Sequence, residues 1–467
     1  MQVLKSETLS LLADEQVVAV RQGVRNLAIA AGLSLVEQTK IVTAASELAR
    51  NTIIHGKGGH VVMELLQNGT RKGVRLTFED AGPGIRDVDQ ALTDGFTTNK
   101  GMGLGLGGAK RLCNEFTIES TVGQGTRVSI ARWNRMQLKL PVEDASHVAE
   151  ARRECIRIAE RAGFSEADAG RVALVATELA TNLLKHASNG ILIAGLIEAG
   201  PGYAVQILSL DKGDGIPDLA AASRDGFSTA GSPGNGLGAL RRLSDIFEVS
   251  TAPGDGTAML AVLYASRSQG HRRRLNWGAV SIAKHGEEVC GDAWAEVSEG
   301  SRTTVLVADG LGHGYAAHEA AQEAVRIFRE QAGAPVAAIV AAINAGLKKT
   351  RGAATSIARL DHERGVVTYA GIGNIAGAIF AEDSVRRMVS LNGTAGLAVR
   401  HIQAFDYPLP KGSRVALASD GIASGWSILK YPGLLRASPA LAAGVIFRDF
   451  ERGRDDATVF VAAGEGP

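Results

Sequence analysis

Glu47-Leu-Ala-Arg-Asn51-Thr-Ile-Ile-His55 returns 131 residues later as Glu178-Leu-Ala-Thr-Asn182-Leu-Leu-Lys-His186. The same offset carries Asp80-Ala-Gly82-Pro-Gly84-Ile85 onto Asp211-Lys-Gly213-Asp-Gly215-Ile216, and Gly95-Phe-Thr-Thr98 onto Gly226-Phe-Ser-Thr229. Gly105-Leu-Gly107 likewise becomes Gly236-Leu-Gly238, and Gly123-Gln-Gly125-Thr126 becomes Gly254-Asp-Gly256-Thr257. A period of this length is a duplicated domain and not a solenoid repeat. The residues kept in phase are Glu, Asn, Asp and Gly, which packing alone has little reason to preserve. A site was copied with the fold.

Hydrophobic spacing around these motifs predicts a helix over 35–54, with Ile41, Ala44, Ala45, Leu48 and Thr52 on one face. Strands are expected at 60–66 and 74–78, around the turn Asn68-Gly69. A Gly-dense loop from Gly95 to Gly108 should lead into a helix through Leu112, followed by a hairpin of 116–121 and 126–133. Helices on one face of a mostly antiparallel sheet make an α+β sandwich. The second copy has the same order from Ser146 through Tyr264.

Glu47 and Asn51 stand four apart on one helix and project from the same face. Asp80 ends an apolar strand, and Gly82 and Gly84 let the backbone pass close to a ligand. Gly103, Gly105, Gly107 and Gly108 precede a helix N-terminus, where free N–H groups favour phosphate. One carboxylate for an amino-edge donor, one amide for a metal and a glycine lid for phosphates describe a nucleotide site. No G-x-x-x-x-G-K-[ST] run is present, so it is not a P-loop. Any one of these features alone is better read as a solvated helix face or an ordinary turn. The ordered set written twice is not.

With 50 basic and 49 acidic residues among 467, the net charge is +1, which gives nucleic acid no electrostatic foothold. Cys113, Cys155 and Cys290 are odd in number, widely spaced and form no C-x-x-C pair, fitting a reducing compartment and small buried roles. No apolar run approaches the ~20 residues of a membrane helix and no signal peptide opens the chain, so a cytoplasmic protein without membrane partners is expected. The length accommodates about three domains. They are expected at 1–134, 135–266 and 275–464, with the basic stretch 267–274 as a solvated linker.

The first two regions resemble the GHKL (Bergerat) ATPase fold. Within it, Ser46-Glu-Leu-Ala-Arg-Asn51, Glu79-Asp-Ala-Gly-Pro-Gly-Ile85, Gly103 to Leu112 and Gly123-Gln-Gly-Thr126 are similar to the anti-sigma-factor serine kinases and the switch kinases of bacterial stressosomes. The resemblance implies that ATP binds with Asp80 on the adenine amino group and Asn51 on Mg²⁺. Glu47 would accept the substrate hydroxyl proton as catalytic base, and Gly82, Gly84, Gly103, Gly105, Gly107 and Thr126 would line the nucleotide. In the second copy Glu178, Asn182, Asp211, Gly213, Gly215, Gly236, Gly238 and Thr257 take these places. There Gly101-Met-Gly103 has become Ser232-Pro-Gly234, so the lid is stiffer and ATP binding is expected without efficient catalysis.

Beyond 275, Val305-Leu-Val-Ala-Asp309-Gly310 and Val415-Ala-Leu-Ala-Ser-Asp420-Gly421 each run an apolar strand into Asp-Gly. Cys290-Gly-Asp292 and Arg454-Asp455-Asp456 add carboxylates near other strands. Many short strands plus helices at 316–331 and 335–349 predict a β-sandwich flanked by helices. Carboxylates gathered from strand ends without His or Cys suit Mg²⁺ or Mn²⁺, and paired ions can activate a water against phosphorus. The pattern, together with Asp309-Gly-Leu-Gly-His-Gly314 and Asn392-Gly-Thr-Ala-Gly-Leu397, resembles the PPM-type serine/threonine phosphatases of the bacterial sporulation and stress-response branch, an αββα sandwich. That resemblance makes Asp309 the catalytic, metal-bridging residue. It gives Gly310 a carbonyl ligand role and adds Asp292, Asp420 and Asp455. His313 lies four residues past Asp309, and no general-acid role is assigned to it.

The combined expectation is a kinase and an opposing phosphatase in one chain. Both would act on STAS-type antagonist (anti-anti-sigma or stressosome) proteins, with a sigma factor or downstream phosphatase as a further partner. The alternative is an ATP-binding anti-sigma factor, a partner-switching binding module joined to a phosphatase domain. A histidine kinase is disfavoured, because no helical dimerisation segment with a phosphoacceptor His precedes Glu47.

Overall fold

The computed structural model describes residues 2–68, 71–93, 105–134, 137–187, 189–199, 202–222, 236–265, 276–399 and 401–465. The chain forms two compact units, Met1–Met136 and Gln137–Pro467.

The first unit runs β1 (Gln2–Leu11), α1 (Glu15–Ala30), α2 (Leu35–Ile54), β2 (Gly59–Asn68), β3 (Arg71–Asp80), α3 (Val88–Ala91), α4 (Gly105–Arg111), β4 (Glu115–Thr121) and β5 (Gly125–Trp133). Its antiparallel sheet has the order β1-β2-β3-β5-β4. Helix α2 starts at a capping box: Ser34 Oγ accepts from Glu37 N, and Ser34 N donates to Glu37 Oε2. Its apolar face, with Ile41, Ala45 and Leu48, is buried against Leu76, Phe78 and Ile130 of the sheet. Strand β1 and helix α1 lay outside the sequence reading. The anticipated turn at Gly69 and the loop through Gly103 lie outside the described residues. Helix α4 begins at Gly105, so Gly105, Gly107 and Gly108 belong to the helix and not to the loop before it.

The second unit opens with the duplicate: β6 (Gln137–Val142), α5 (Ala145–Arg161), α6 (Glu166–His186), β7 (Gly190–Ala199), β8 (Gly202–Leu210), α7 (Leu219–Ala222), α8 (Gly236–Leu243), β9 (Ile246–Thr251) and β10 (Thr257–Tyr264). The order β6-β7-β8-β10-β9 repeats that of the first sheet strand for strand. Even the helix cap was copied, since Ser165 accepts from Asp168 N where Ser34 accepts from Glu37 N.

The remainder contains β11 (Trp277–Ile282), β12 (Asp292–Glu299), β13 (Arg302–Gly310), α9 (Tyr315–Gln331), α10 (Val336–Gly346), β14 (Ala353–Asp361), β15 (Val366–Ile372), β16 (Ala376–Ala381) and β17 (Ser384–Met388). Short strands β18 (Ser390–Leu391), β19 (Gly393–Thr394), β20 (Ala398–Val399) and β21 (Phe405–Pro408) follow, then β22 (Arg414–Ala418), α11 (Pro439–Phe450) and β23 (Ala457–Ala463). One sheet runs β11-β23-β22-β16-β17, the other β12-β13-β14-β15-β18 with β21 beside β15. Val305, Val307, Leu360, Tyr369, Leu417 and Phe460 fill the space between the sheets. Helices α9 and α10 cover one outer face and α11 the other, giving the αββα layering. Among the described residues no helix is long and apolar enough to cross a membrane.

Candidate functional site

In the first unit the strand register puts Asp80 at the end of β3, directly opposite Thr126 on β5. Asp80 Oδ1 accepts from Gly82 N at 2.9 Å and Thr126 N at 3.2 Å. Both bonds fall on one oxygen, and among the described residues the other takes no hydrogen bond. The glycines are there for space. A Cβ on Gly56, just after α2, would stand 2.5 Å from Asp80 Cγ, and one on Gly82 would stand 2.7 Å from Gly56 Cα. Gly84 has φ +68°, and a Cβ there would meet Thr121 O at 2.3 Å. Glu47 and Asn51 lie half-buried on α2, the helix that ends beneath Asp80, and Glu47 Oε1 is 3.3 Å from Arg50 Nη1.

The duplicate reproduces this network. Asp211 Oδ1 accepts from Gly213 N at 2.8 Å and Thr257 N at 3.1 Å. One pair of residues escaped the sequence reading. Ser120 Oγ takes Ile85 N at 2.8 Å and lies 2.8 Å from Thr126 Oγ1, while Thr251 Oγ1 takes Ile216 N at 2.8 Å and lies 3.1 Å from Thr257 Oγ1. Each hydroxyl ties the Gly-rich turn to the last hairpin. Their signal was available, because both hydroxyls stand at the common offset of 131.

The copies differ in detail. Ala187 replaces Gly56, and the chain leaves α6 in an extended conformation where it leaves α2 in a helical one. A Cβ on Gly236, the first residue of α8, would stand 2.6 Å from Glu178 Oε1, so the helix start covers that carboxylate. Gly238 lies on the same helix. Burial raises the pKa of Asp211, opposed by the Gly213 and Thr257 amides and by Arg448.

In the αββα region Asp292 and Asp309 face each other across the β12–β13 ladder. Asp292 is buried; its Oδ2 accepts from Ser419 Oγ at 2.6 Å, and among the described residues its Oδ1 has no hydrogen-bond partner. Burial pushes both carboxyls far above the usual carboxylate range, and neighbouring charges push further, from Asp456 and Asp420 on Asp292 and from Asp292, Asp420, Asp455 and Asp456 on Asp309. Asp420, at the end of β22, is raised by burial and Asp455, and Asn374 Nδ2 donates to its Oδ2 at 2.7 Å. The glycine beside each aspartate is obligatory. A Cβ on Gly310 would meet Ala317 O at 2.0 Å, and one on Gly421 would meet Asp456 O at 1.9 Å. An orphaned buried oxygen among mutually repelling carboxylates is complementary to a cation. Among the described residues no three such side chains already stand in coordinating geometry. His313 is half-exposed with Nδ1 2.6 Å from Glu287 Oε1. Asn374 and Ser419 have no signal in the sequence, and Asp456, which the sequence places beside Asp455 without a ligand role, has its Oδ1 accepting from Lys284 N and its carboxyl buried.

Residues 36–136 match the family of histidine kinase-, DNA gyrase B- and HSP90-like ATPases, and 141–262 match the histidine kinase-like ATPase domain. Residues 299–463 match stage II sporulation protein E. The serine/threonine-protein kinase RsbT of Bacillus subtilis is 40% identical over 125 residues, covering 27% of this chain and 94% of that protein. The chain belongs to this switch-kinase family. To it are joined the second ATPase-type repeat and a stage II sporulation protein E-type phosphatase domain of the PPM class. An anti-sigma F factor of Clostridium novyi is 34% identical over 97 residues, 20% of this chain and 68% of that protein. The phosphoserine phosphatase RsbX of Bacillus subtilis is 32% identical over 94 residues, 20% of this chain; the match spans 47%, about half, of that protein. Domains of these two kinds imply ATP and a divalent cation.

Proposed function

We propose that this switch-kinase-family protein is a two-headed partner-switching regulator of a sigma-factor stress pathway. The first repeat phosphorylates a serine or threonine of a STAS-type antagonist protein, and the phosphatase domain removes that phosphate. The observation that carries the reading is the coexistence in one chain of an Asp80 pinned through a single oxygen and a buried carboxylate cluster around Asp309. In the kinase, the second oxygen of Asp80 takes the adenine amino group. Asn51 is the ligand for Mg²⁺, and Glu47 accepts the hydroxyl proton as the acceptor attacks. Positioning and metal electrostatics carry most of phosphoryl transfer, so this short list of side chains suffices.

In the phosphatase, Asp309, the Gly310 carbonyl, Asp292, Asp420 and Asp455 are the groups that would hold the divalent cations. Bound Mg²⁺ or Mn²⁺ supplies an activated water and charge neutralisation. Ser419 and Asn374 orient Asp292 and Asp420 through the second oxygen of each.

The likeness to anti-sigma F factors favours a second reading, in which the first repeat sequesters a sigma factor and ATP holds its shape. Incubation with γ-labelled ATP and a candidate STAS protein separates the two. Label on the STAS protein, removed again when Mn²⁺ is added after ATP depletion, supports the enzyme. Binding of the partner with no label at any time refutes the kinase assignment.

A further inference from the structure

The two copies of the ATPase sheet differ on one face. In the first, the face turned away from α1 and α2 carries Thr77, Glu79 and Ser129, with Thr77 Oγ1 3.3 Å from Ser129 Oγ and Glu79 paired to Arg127. At the common offset these positions become Leu208, Leu210 and Leu260. In the second unit that apolar face packs on α11 of the phosphatase domain, in one continuous core with Ala440, Ala443 and Phe447. The fit is close, because a Cβ on Gly444 would come within 3.2 Å of Leu208 Cδ2.

Polar contacts frame this core. Arg448 Nη1 donates to the backbone carbonyl of Asp211 at 3.0 Å, and its other nitrogens are held by Asp449 at 2.9 and 2.8 Å. Lys139 on β6 grips both oxygens of Glu451 at 2.7 Å. Glu248 on β9 accepts from Ser438 N, the cap of α11. The far end of α11 reaches the carboxylate cluster: Ala423 N donates to Phe450 O at 2.7 Å and Arg452 N to Gly421 O at 2.9 Å, with Asp455 three residues on.

We propose that the second ATPase-type repeat is a built-in nucleotide-sensing subunit of the phosphatase. An adenine nucleotide bound at Asp211 would act through Arg448 and α11 to order the Asp420 and Asp455 loops for cation binding. This rests on the nucleotide and metal readings of the preceding section. A purine amino group on Asp211 holds that residue against Arg448, which fixes the C-terminal end of α11. Cations then bind to loops whose ordering cost has already been met, so the nucleotide tightens the metal. Linkage requires the metal to tighten the nucleotide by the same factor.

The test uses the full chain carrying Asp80→Asn, which weakens the first nucleotide site and leaves the second. Calorimetric titration measures Mn²⁺ affinity with and without a non-hydrolysable ATP analogue, and analogue affinity with and without Mn²⁺. The expected result is a reciprocal tightening of at least about 5-fold, the lower end of ordinary couplings. The same titrations on Arg448→Lys should bring the factor towards one while each ligand still binds alone. An Mn²⁺ affinity unchanged or weakened by the analogue overturns the proposal, as does failure of the analogue to bind this chain. Failure of Mn²⁺ to bind under any condition instead removes the metal reading on which the proposal stands. Should Arg448→Lys fail to fold, the same titrations on the Asp80→Asn chain carrying Asp309→Ala decide: a coupling factor undiminished there belongs to the nucleotide's own cation and overturns the proposal.

Discussion

If Asp80 recognises the nucleotide as proposed, Asp80→Asn should separate recognition from folding because of how the carboxylate is held. Its Oδ1 accepts two backbone amides, from Gly82 and Thr126. An asparagine keeps an oxygen there and loses neither bond, but presents NH₂ where the second carboxylate oxygen stood. A purine amino donor then faces a donor in place of a charged acceptor. Loss of a hydrogen bond to a charged group costs about 1.5–3 kcal/mol. At about 1.4 kcal/mol per decade, nucleotide affinity at this site should fall roughly 10–100-fold. Asp80→Ala should do more, since it also strands both amides, at about 1 kcal/mol of stability each. Isothermal titration with an ATP analogue on the full chain, with Asp211→Asn made in parallel so that each variant spares one site, reads the affinities. Thermal unfolding reads stability. An Asn variant that binds as tightly as the parent, or that unfolds as readily as the Ala variant, would refute the reasoning.

Glu47→Ala should leave nucleotide affinity nearly unchanged while transfer to a STAS substrate falls at least ~10²-fold, the lower end for a lost general base; retained transfer in a labelling assay would count against the role. Asp309→Ala should abolish Mn²⁺-dependent phosphoserine hydrolysis and spare the kinase, so assays of both activities on one substrate check it. For the chelator-treated chain, Asp292 and Asp309 are pushed up to about 7 and about 9, mainly by burial. Unfolded carboxyls lose their protons near pH ~4 and folded ones keep them, so this contribution is complete at low pH and is lost as pH rises through those values. Thermal unfolding should therefore show the chelated chain losing stability between about pH 5 and 9, with Mn²⁺ restoring it most at the alkaline end; a flat profile would disprove the clustering.

Most elements were legible because the chain repeats them and the core faces are periodic. Helix α2 occupies the anticipated 35–54, β13 runs through Asp309, β22 ends two residues before Asp420, and β23 begins just after Asp455 and Asp456. The α4 start was misplaced because glycines at Gly105, Gly107 and Gly108 read as loop, whereas packing of this short helix on α2 tolerates them. Strand β1 was missed because it is an edge strand with a mostly exposed, weakly alternating sequence. Ser419 and Asn374 are not legible in the sequence because a lone hydroxyl or amide carries no pattern until a partner is seen, whereas Ser120 has its signal in the repeat offset to Thr251.

The sequence by itself determined the duplication, the nucleotide motif in each copy, and the aspartates placed at strand ends. These are local: a turn needs its glycine, a helix face its spacing, whatever surrounds them. Only the tertiary structure decided that Asp292 and Asp309 share a ladder position and burial, which makes them a charge problem for a cation to relieve. It also decided that Leu208, Leu210 and Leu260 are a docking face for α11, because three leucines in a strand pattern do not say what will cover them. Long-range pairing sets burial, and burial sets both the pKa of a carboxylate and the partner of an apolar face.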